Sequence, residues 1–336
     1  MKHFLRDDDV NARQQRYLVD LAKFLKVHRY DARPLLHATS SASATPAAPH
    51  SVAVIMEKES TRTRISFNIG ITELGGNPVM VDAQSSQLAR GESIEDTARV
   101  LSGYVDGIVI RTFGDDRINA LAAASRVPVI NALTDGFHPC QLLADIMTVD
   151  EEFGGTSGIT IGYVGDAGNN MAHSYLLAGA VAGAHVRVAG PAKYQPDPTI
   201  VARAEVIAAE TGGSVTVLDD PVGAVKGADV VATDTWVSMG HLDRQFRLDD
   251  LASFQVNGDL MGHAADHAIV LHCLPAHRGE EITDEVIDSP QSRVLSQAEN
   301  RLHVQKALMT WLLTDHAWEV PGWDARPAFV ESENNQ

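Results

Sequence analysis

The sequence predicts an α/β protein of two domains, each with a parallel β-sheet flanked by helices, and with helices joining the domains. Short apolar runs alternate with longer helical patterns along most of the chain, which is typical of parallel sheets connected by helices. This rhythm restarts after Gly154-Gly155. A chain of 336 residues also has the length of two ordinary domains. We therefore expect domains over residues 1–150 and 151–316, followed by a tail over residues 317–336.

The first half opens with an amphipathic helix over residues 10–27, and residues 36–50 form a loop of small residues in which we expect no site residue. Apolar runs then predict strands at 51–56, 78–82, 107–111 and 127–130. Helical patterns lie between and after them, at 62–74, 94–104, 115–125 and about 140–152.

The second half repeats the same alternation without a sequence repeat. Strands are predicted at 159–164, 185–189, 214–218, 229–233 and 268–272. Helices are predicted at 170–183, 198–211 and 221–227, and a last helix at about 297–314.

Charge and composition exclude several classes of protein. The formal net charge of −17 argues against a nucleic-acid partner. No stretch approaches the roughly 18–20 apolar residues of a transmembrane helix. The first nine residues lack the apolar core of a secretory signal, and two cysteines offer no disulfide framework. These features predict a cytoplasmic protein that does not contact membranes.

The most informative motif is Ser60-Thr61-Arg62-Thr63-Arg64. It follows a buried strand and precedes a helical pattern carrying Ile65, Ile69 and Leu74. A helix N-terminus presents backbone N–H groups and the positive end of the helix dipole, and guanidinium groups match phosphate oxygens. The motif therefore predicts a phosphate site, although a Ser N-cap followed by solvated arginines is the alternative interpretation.

Polar clusters follow five of the predicted strands, where open α/β sheets bind their ligands. They are Arg111-Thr112, Asn131 with His138-Pro139-Cys140-Gln141, Gly165 to Met171, Asp234 to Gly240, and Cys273 to Arg278.

Three other kinds of site fit parts of this pattern less well. Gly162, Gly165 and Gly168 do not have dinucleotide-binding spacing, and no acidic residue follows the next strand. Zinc could be held by His272, Cys273 and His277, but no further ligand motif is present. A nucleophilic Cys140 or Cys273, assisted by His138 or His272, would leave the arginine-rich motif without a role.

From the first helix to about residue 315, these motifs resemble the aspartate/ornithine carbamoyltransferase family. The phosphate motif and His138-Pro139-Cys140-Gln141 mark the whole family, whereas Ser238-Met239-Gly240 and His272-Cys273-Leu274-Pro275 resemble its ornithine branch. Ser86-Gln87 to Glu92-Ser93, Asp96-Thr97-Ala98-Arg99 and Asn169-Asn170-Met171 also match.

The resemblance implies a carbamoyl-phosphate domain over 1–150 and an ornithine domain over 151–316, with the last helix returning to the first domain. It also implies a role for each matched residue. Phosphate would be held by Ser60, Thr61, Arg62 and Thr63, with Arg301 reaching back to carbamoyl phosphate. The carbamoyl group would be oriented by Arg111, His138 and Gln141, and the attacking amine would lie beside Cys273 and Leu274. Ornithine would be bound by Asn170, Asp234, Ser238 and Met239.

The implied reaction joins carbamoyl phosphate and L-ornithine to give L-citrulline and phosphate, with Arg111, His138 and Cys273 as catalytic residues and without a metal or an organic cofactor. In this family Gln87 would enter the site of a neighbouring subunit of a trimer. A carbamoyltransferase for another amine, such as putrescine or an acylated ornithine, is the nearest alternative. A catalytically silent protein that binds phosphorylated metabolites is an alternative of another class.

Overall fold

The structure is a computed structural model, and it describes residues 3–36, 48–83, 86–237 and 244–314. Three predicted features lie outside the described residues: most of the 36–50 loop, the site residues Ser238 and Met239, and the 317–336 tail.

Nine strands form two sheets in the described part of the chain, and every pairing is parallel. The strands are β1 (Ser51–Met56), β2 (Asn77–Asp82), β3 (Gly107–Arg111), β4 (Val129–Leu133), β5 (Thr160–Val164), β6 (His185–Ala189), β7 (Ser214–Leu218), β8 (Val230–Thr233) and β9 (Ile269–His272). The first sheet has the order β2-β1-β3-β4 and the second the order β7-β6-β5-β8-β9. Parallel sheets flanked by helices confirm the predicted fold class.

Nine of the twelve α-helices in the described part of the chain match predicted helical patterns, whereas those at 244–251, 258–261 and 284–287 were not predicted. Their bounds are α1 (Ala12–Val27), α2 (Thr61–Glu73), α3 (Ile94–Leu101), α4 (Asp115–Ala124), α5 (Pro139–Phe153), α6 (Asn170–Val181), α7 (Pro198–Thr211), α8 (Pro221–Val225), α9 (Arg244–Leu251), α10 (Gly258–Met261), α11 (Asp284–Ile287) and α12 (Val294–Leu313). Among the described residues, none of these helices is both long enough and apolar enough to cross a membrane.

The chain divides into two compact units, and both are discontinuous. One contains Met1–Leu5, Arg16–Asp135 and the chain from Arg301, and the other contains Arg6–Gln15 and Gly136–Asn300. The first unit is therefore completed by the C-terminal half of α12. At that helix, a Cβ added to Gly70 would lie 3.3 Å from Lys306 Cγ, so α2 and α12 pack closely.

Strand β4 differs from its prediction. It begins at Val129 and continues through Asn131 to Leu133, instead of ending before Asn131. Asn131 is fully buried, and its Nδ2 donates to Leu5 O (2.8 Å) and to Thr134 Oγ1 (3.1 Å). Because the amide nitrogen finds two acceptors inside the protein, the polar residue does not end the strand. Phe4 forms a parallel bridge to Ile130, which sequence patterning did not predict.

Helix α2 also turns a different face inward than its apolar pattern suggests. Ile65 is 55% exposed and Ile69 is 39% exposed. The buried face is formed instead by Thr63, Phe67 and Ile71, together with Gly70. The helix therefore buries a threonine of the phosphate motif and leaves two isoleucines on the surface of the unit.

Candidate functional site

In the first unit, the predicted phosphate motif forms a capped helix N-terminus. Ser60 is the N-cap of α2, and its Oγ accepts a hydrogen bond from Thr63 N at 3.3 Å. Thr61 and Arg62 are exposed in the first turn, whereas Thr63 is fully buried. Hydroxyl groups, a guanidinium and free N–H groups thus meet at the positive end of the helix dipole, which is an arrangement suited to a phosphate.

Arg301 joins this turn from α12. Its Nη2 donates a hydrogen bond of 2.9 Å to Thr63 Oγ1, and the residue is only 4% exposed. The contact brings a second guanidinium to the phosphate motif from the far end of the sequence. The structure therefore places Arg301 beside one of the residues with which the family resemblance groups it.

Arg111 ends β3, the neighbour of the strand that leads into the phosphate motif. In the register of β1 and β3, Arg111 is opposite Met56. Its carbonyl oxygen accepts from Glu57 N at 2.9 Å. Burial would raise the pKa of Glu57, but hydrogen bonds from Arg117 and Thr112 lower this pKa below its usual value. The ionised Glu57 carboxylate accepts hydrogen bonds from both Arg117 and Thr112. It thus links the end of β1 to the end of β3.

The ends of β1 and β3 lie side by side at the point where the strand order of the sheet changes direction. The order β2-β1-β3-β4 reverses direction between β1 and β3, and ligands of open α/β sheets bind outside the carboxyl ends of strands at such a switch point. Gln87 lies outside this cluster. Its side chain is exposed in a short 3₁₀ turn, Gln87–Arg90, and forms no hydrogen bond to the Ser60 turn in the part of the chain that the structure describes.

In the second unit, His138 is the N-cap residue of α5 and is 4% exposed. Its backbone N donates to Ser174 Oγ at 2.9 Å, and Ser174 Oγ donates to Asp7 Oδ2 at 2.6 Å. Burial raises the pKa of Asp7 well above its usual value, and the Ser174 hydrogen bond opposes this effect. The predicted catalytic histidine is therefore held through its backbone by two buried residues that sequence reasoning missed.

Gln141 lies one turn further along α5 and is also buried. Its Nε2 donates to Asp145 Oδ1 at 2.9 Å. Asp145 was not among the predicted site residues. The signal available in the sequence was an acidic residue inside a predicted helix. In the structure, every residue from Pro139 to Asp150 of this helix is buried.

The other predicted residues of this unit lie at the carboxyl edge of the second sheet. Its order reverses between β5 and β8. Asn170 begins the helix after β5, where the Asn169 side chain caps the helix by accepting from Ala172 N at 2.8 Å. Asp234 follows β8 directly and is 6% exposed. Both residues therefore lie at the switch point where a ligand is expected.

Cys273 contacts Asp234 from the next strand. Its Sγ donates to Asp234 Oδ1 at 3.0 Å. Burial raises the pKa of Asp234, and the nearby His272 and the Cys273 hydrogen bond oppose that rise. Close by, Thr235 Oγ1 lies 2.8 Å from His277 Nδ1. The ends of β8 and β9 are thus joined by two side-chain contacts.

The turn after β9 carries the one non-glycine residue with a positive φ among the described residues, Leu274 (φ 57°). Leu274 N donates to His272 Nδ1 at 2.9 Å, so the hydrogen of this imidazole is on Nε2, which lies 3.0 Å from Glu281 Oε1. Glu281 is fully buried and also accepts from His277 N at 2.6 Å. A buried carboxylate that no sequence signal indicated thus holds the Cys273-Leu274 turn.

These contacts also bear on the alternatives. Possible ligand atoms of Asp234, His272 and Cys273 lie within 4.8 Å of one another, but both ring nitrogens of His272 already take part in hydrogen bonds within the protein. Cys140 is fully buried, which does not suit a nucleophile. Gly162 lies inside β5, where an added Cβ would come 2.8 Å from Ala224 O, so packing accounts for this glycine.

Sequence comparison matches both halves of the chain to one family. The carbamoyl-P binding domain of aspartate/ornithine carbamoyltransferase matches residues 2–151, and the Asp/Orn binding domain matches residues 157–312. The ornithine carbamoyltransferase of Acidothermus cellulolyticus is 56% identical over 93% of this chain and 97% of its own length. That of Mycobacterium leprae is 53% identical over 93% and 99%.

Solved structures agree with the sequence comparison. The ornithine carbamoyltransferase from Pyrococcus furiosus superposes with a TM-score of 0.86 at 46% identity, covering 94% of this chain and 97% of that one. The enzyme from Gloeobacter violaceus gives a TM-score of 0.82 at 42% identity, covering 93% and 99%.

Proposed function

The chain belongs to the aspartate/ornithine carbamoyltransferase family, and from this premise we propose that it transfers the carbamoyl group of carbamoyl phosphate to the δ-amine of L-ornithine. The products are L-citrulline and phosphate. One observation carries most weight: relatives that are 50–56% identical over nearly the whole chain are ornithine carbamoyltransferases. The two switch points provide chemistry that suits both substrates.

Phosphate is assigned to the first unit. Ser60, Thr61, Arg62 and Thr63 bind its oxygens at the N-terminus of α2, and Arg301 contributes a further guanidinium. A dianionic group there interacts with fixed cations and with the helix dipole. The hydrogen bond between Arg301 and Thr63 supports this assignment because it fixes the direction of the guanidinium.

The chemistry requires donors for a developing oxyanion. The amine lone pair attacks the carbonyl carbon, a C–N bond forms, the C–O bond to phosphate breaks, and the amine loses a proton. Arg111, His138 and Thr63 are proposed to stabilise the carbonyl oxygen as its charge grows. Gln141 orients the carbamoyl group. Holding both reactants adds the rate gain of a reaction within one complex.

Ornithine is assigned to the second unit. Asp234 pairs with the α-ammonium group, Asn170 binds beside it, and Cys273 and Leu274 lie next to the attacking amine. The burial of Asp234 supports this role, because a buried carboxylate gains most from a cationic partner. Ser238 and Met239 complete the proposed binding loop.

We propose that the protein is a cytoplasmic homotrimer in arginine biosynthesis and that Gln87 enters a neighbouring site. Ile65 and Ile69 on α2 and Val79 on β2 are large apolar side chains that are exposed in the single chain. Strand β2 is also the edge of the first sheet. An edge strand beside exposed apolar residues supports a subunit contact on this unit. Cys140 and Cys273, the two cysteines of the chain, are thiols and do not form a disulfide, which suits a reducing compartment.

The test is citrulline formation from carbamoyl phosphate with L-ornithine, putrescine and an Nα-acylated ornithine offered in parallel. The expected result is rapid turnover of ornithine and slow or undetectable turnover of the other amines. Preference for another amine would reassign the acceptor. Binding of carbamoyl phosphate without any product would indicate a binding protein and overturn the proposal.

A further inference from the structure

Asp145, a buried residue of the second unit, receives hydrogen bonds from three side chains. Its Oδ1 accepts from Gln141 Nε2 at 2.9 Å and from Gln297 Nε2 at 2.7 Å, and its Oδ2 accepts from Tyr175 OH at 2.5 Å. Asp145 is 1% exposed, and its three partners are almost as deeply buried. Three donors facing two oxygens fit an ionised carboxylate, which can only accept.

Tyr175 supports this description. Burial and the neighbouring Asp145 carboxylate raise the pKa of Tyr175 well above its usual value. The phenol therefore remains protonated and serves as a donor. The Asp145 carboxylate therefore needs no proton of its own. The donated hydrogen bonds stabilise its negative charge.

The charge of Asp145 determines which way the Gln141 amide points. Only the NH₂ end of an amide can pair with an ionised carboxylate, so Nε2 faces Asp145 and Oε1 faces away. Gln141 Oε1 is buried and accepts no hydrogen bond from any residue that the structure describes. A buried acceptor of this kind is costly unless a donor arrives, and a carbamoyl –NH₂ is such a donor.

The same carboxylate orients Gln297 by the same rule. Gln297 donates through Nε2 to Asp145, which leaves its Oε1 to accept from His272 N at 3.0 Å. Because His272 directly precedes Cys273, the carboxylate influences two of the predicted site segments. Both effects depend on its being an acceptor and nothing else.

We propose that Asp145 is a positioning residue that sets the selectivity of this protein for a carbamoyl group over an acyl group without N–H donors. This inference rests on the proposed function. Asp145 keeps the Gln141 carbonyl oxygen turned toward the substrate, where carbamoyl phosphate offers –NH₂ and acetyl phosphate offers only a methyl group. A site that hydrogen-bonds its substrate rejects an analogue lacking that group strongly, because its buried polar atom is then left unpaired.

The test compares the wild type with Asp145→Asn, whose amide can pair with either orientation of Gln141. The selectivity ratio is the inhibition constant of acetyl phosphate divided by the KM of carbamoyl phosphate. In Asp145→Asn we expect kcat/KM for carbamoyl phosphate to fall by about 100-fold and the ratio to fall at least about 10-fold. The inhibition constant of inorganic phosphate, which has no carbamoyl group, should stay within about threefold.

Tyr175→Phe is the matched control, because it removes one donor to Asp145 without changing what Gln141 faces. Its ratio should remain near that of the wild type. An unchanged ratio in folded Asp145→Asn would overturn the inference, and so would an equal fall in both variants. If wild-type protein makes no citrulline, the proposed function fails instead, whatever the variants do.

A second measurement needs no variant. Neutron diffraction from deuterium-exchanged crystals of the wild type should place two deuterons on the Gln141 side-chain atom that faces Asp145. Deuterons on the atom that faces away from Asp145 would overturn the inference even if Asp145→Asn does not fold.

Discussion

Arg301 Nη2 donates a 2.9 Å hydrogen bond to Thr63 Oγ1, although 238 positions separate the two residues in the chain. Thr63 is fully buried and Arg301 nearly so. If the hydrogen bond between them were lost, water would not replace it equally well for either group. A residue of the last described helix is thus part of the turn that opens α2.

This contact predicts strong coupling between the two positions. Thr63→Val keeps the shape of the side chain but removes the acceptor, and Arg301→Met removes the donor. Each change should lower kcat/KM for carbamoyl phosphate, and the pair should show a coupling energy of about 1.5–3 kcal/mol in a double-mutant cycle, as expected for a hydrogen bond to a charged group. Additive effects in steady-state kinetics would contradict a shared role.

Arg62 and Arg64 allow a charge-matched test of the phosphate site. Both are exposed arginines in the first turns of α2, but only Arg62 belongs to the predicted phosphate-binding set. Arg62→Ala should lower kcat/KM for carbamoyl phosphate by at least about 100-fold, because it removes a charge-assisted contact. Arg64→Ala should change it by less than about fivefold. Similar losses in both variants would indicate a general effect of surface charge.

Subunit mixing tests whether sites are shared. Arg62→Ala and Gln87→Ala should each be nearly inactive as pure proteins. If Gln87 serves a neighbouring subunit, mixed trimers contain some sites with both residues intact, and activity should return after subunit exchange. Exchange can be followed by native mass spectrometry with one variant carrying a mass label. Full exchange without recovered activity would place Gln87 in the site of its own subunit or outside any site.

Asp234 should determine the choice of amine. Asp234→Asn removes the charge that is assigned to the α-ammonium group of ornithine while keeping an acceptor for Cys273 Sγ. We expect kcat/KM for ornithine to fall by about 100-fold or more. Activity with 5-aminopentanoate, which keeps the reacting amine and the carboxylate but lacks the α-ammonium group, should fall much less. Equal losses for both amines would assign Asp234 to the fold or to the chemical step.

His303 should make folding stability depend on pH. Burial, with help from nearby cations such as Lys306, lowers the pKa of this histidine to about 4. The unfolded chain, with a histidine pKa of about 6.5, binds the proton first as the pH falls, so stability declines from about pH 6.5 toward pH 4. When the pH is lowered from 7.5 to 5, His303 should reduce the free energy of unfolding by about 2 kcal/mol.

Urea unfolding of the wild type and His303→Gln at both pH values measures this difference. The variant should lose about 2 kcal/mol less than the wild type between them. The same substitution at His28, whose side chain is 45% exposed, is the control and should leave the pH dependence of stability as it is in the wild type. Identical pH dependence in His303→Gln and the wild type would show that His303 is not the group responsible.

Much of the fold could be predicted because its strands are short apolar runs. β1, β3, β6 and β7 have the bounds that the sequence indicates. The prediction for β4 was wrong because Asn131 finds its partners inside the protein, and hydropathy cannot show that. The pattern of Ile65 and Ile69 misled for a related reason, since an exposed apolar residue looks like a core residue in sequence.

The residues of the candidate site could be predicted where the groups that act together are neighbours in the sequence. A Ser N-cap with arginines behind a strand is visible in sequence, and so are polar residues at strand ends. Asp7, Asp145 and Glu281 were missed because their importance depends on burial and on partners far away in the chain. The positive φ of Leu274 was also invisible, because leucine gives no hint of a left-handed conformation.

The discontinuity of the first unit has a consequence for biosynthesis. Thr63 is hydrogen-bonded to Arg301, and a Cβ added to Gly70 or Gly107 would lie 3.3 Å from Lys306 or 2.9 Å from Leu313. The ribosome must therefore translate α12 before α2 and β3, which it made much earlier, can complete their packing. Until then, the surfaces of α2 and β3 that α12 covers stay exposed, and chaperones can bind them in the nascent chain. A premature stop codon just before Arg301 would thus damage the unit that contains Arg16–Asp135 and spare most of the residues synthesised just before the stop.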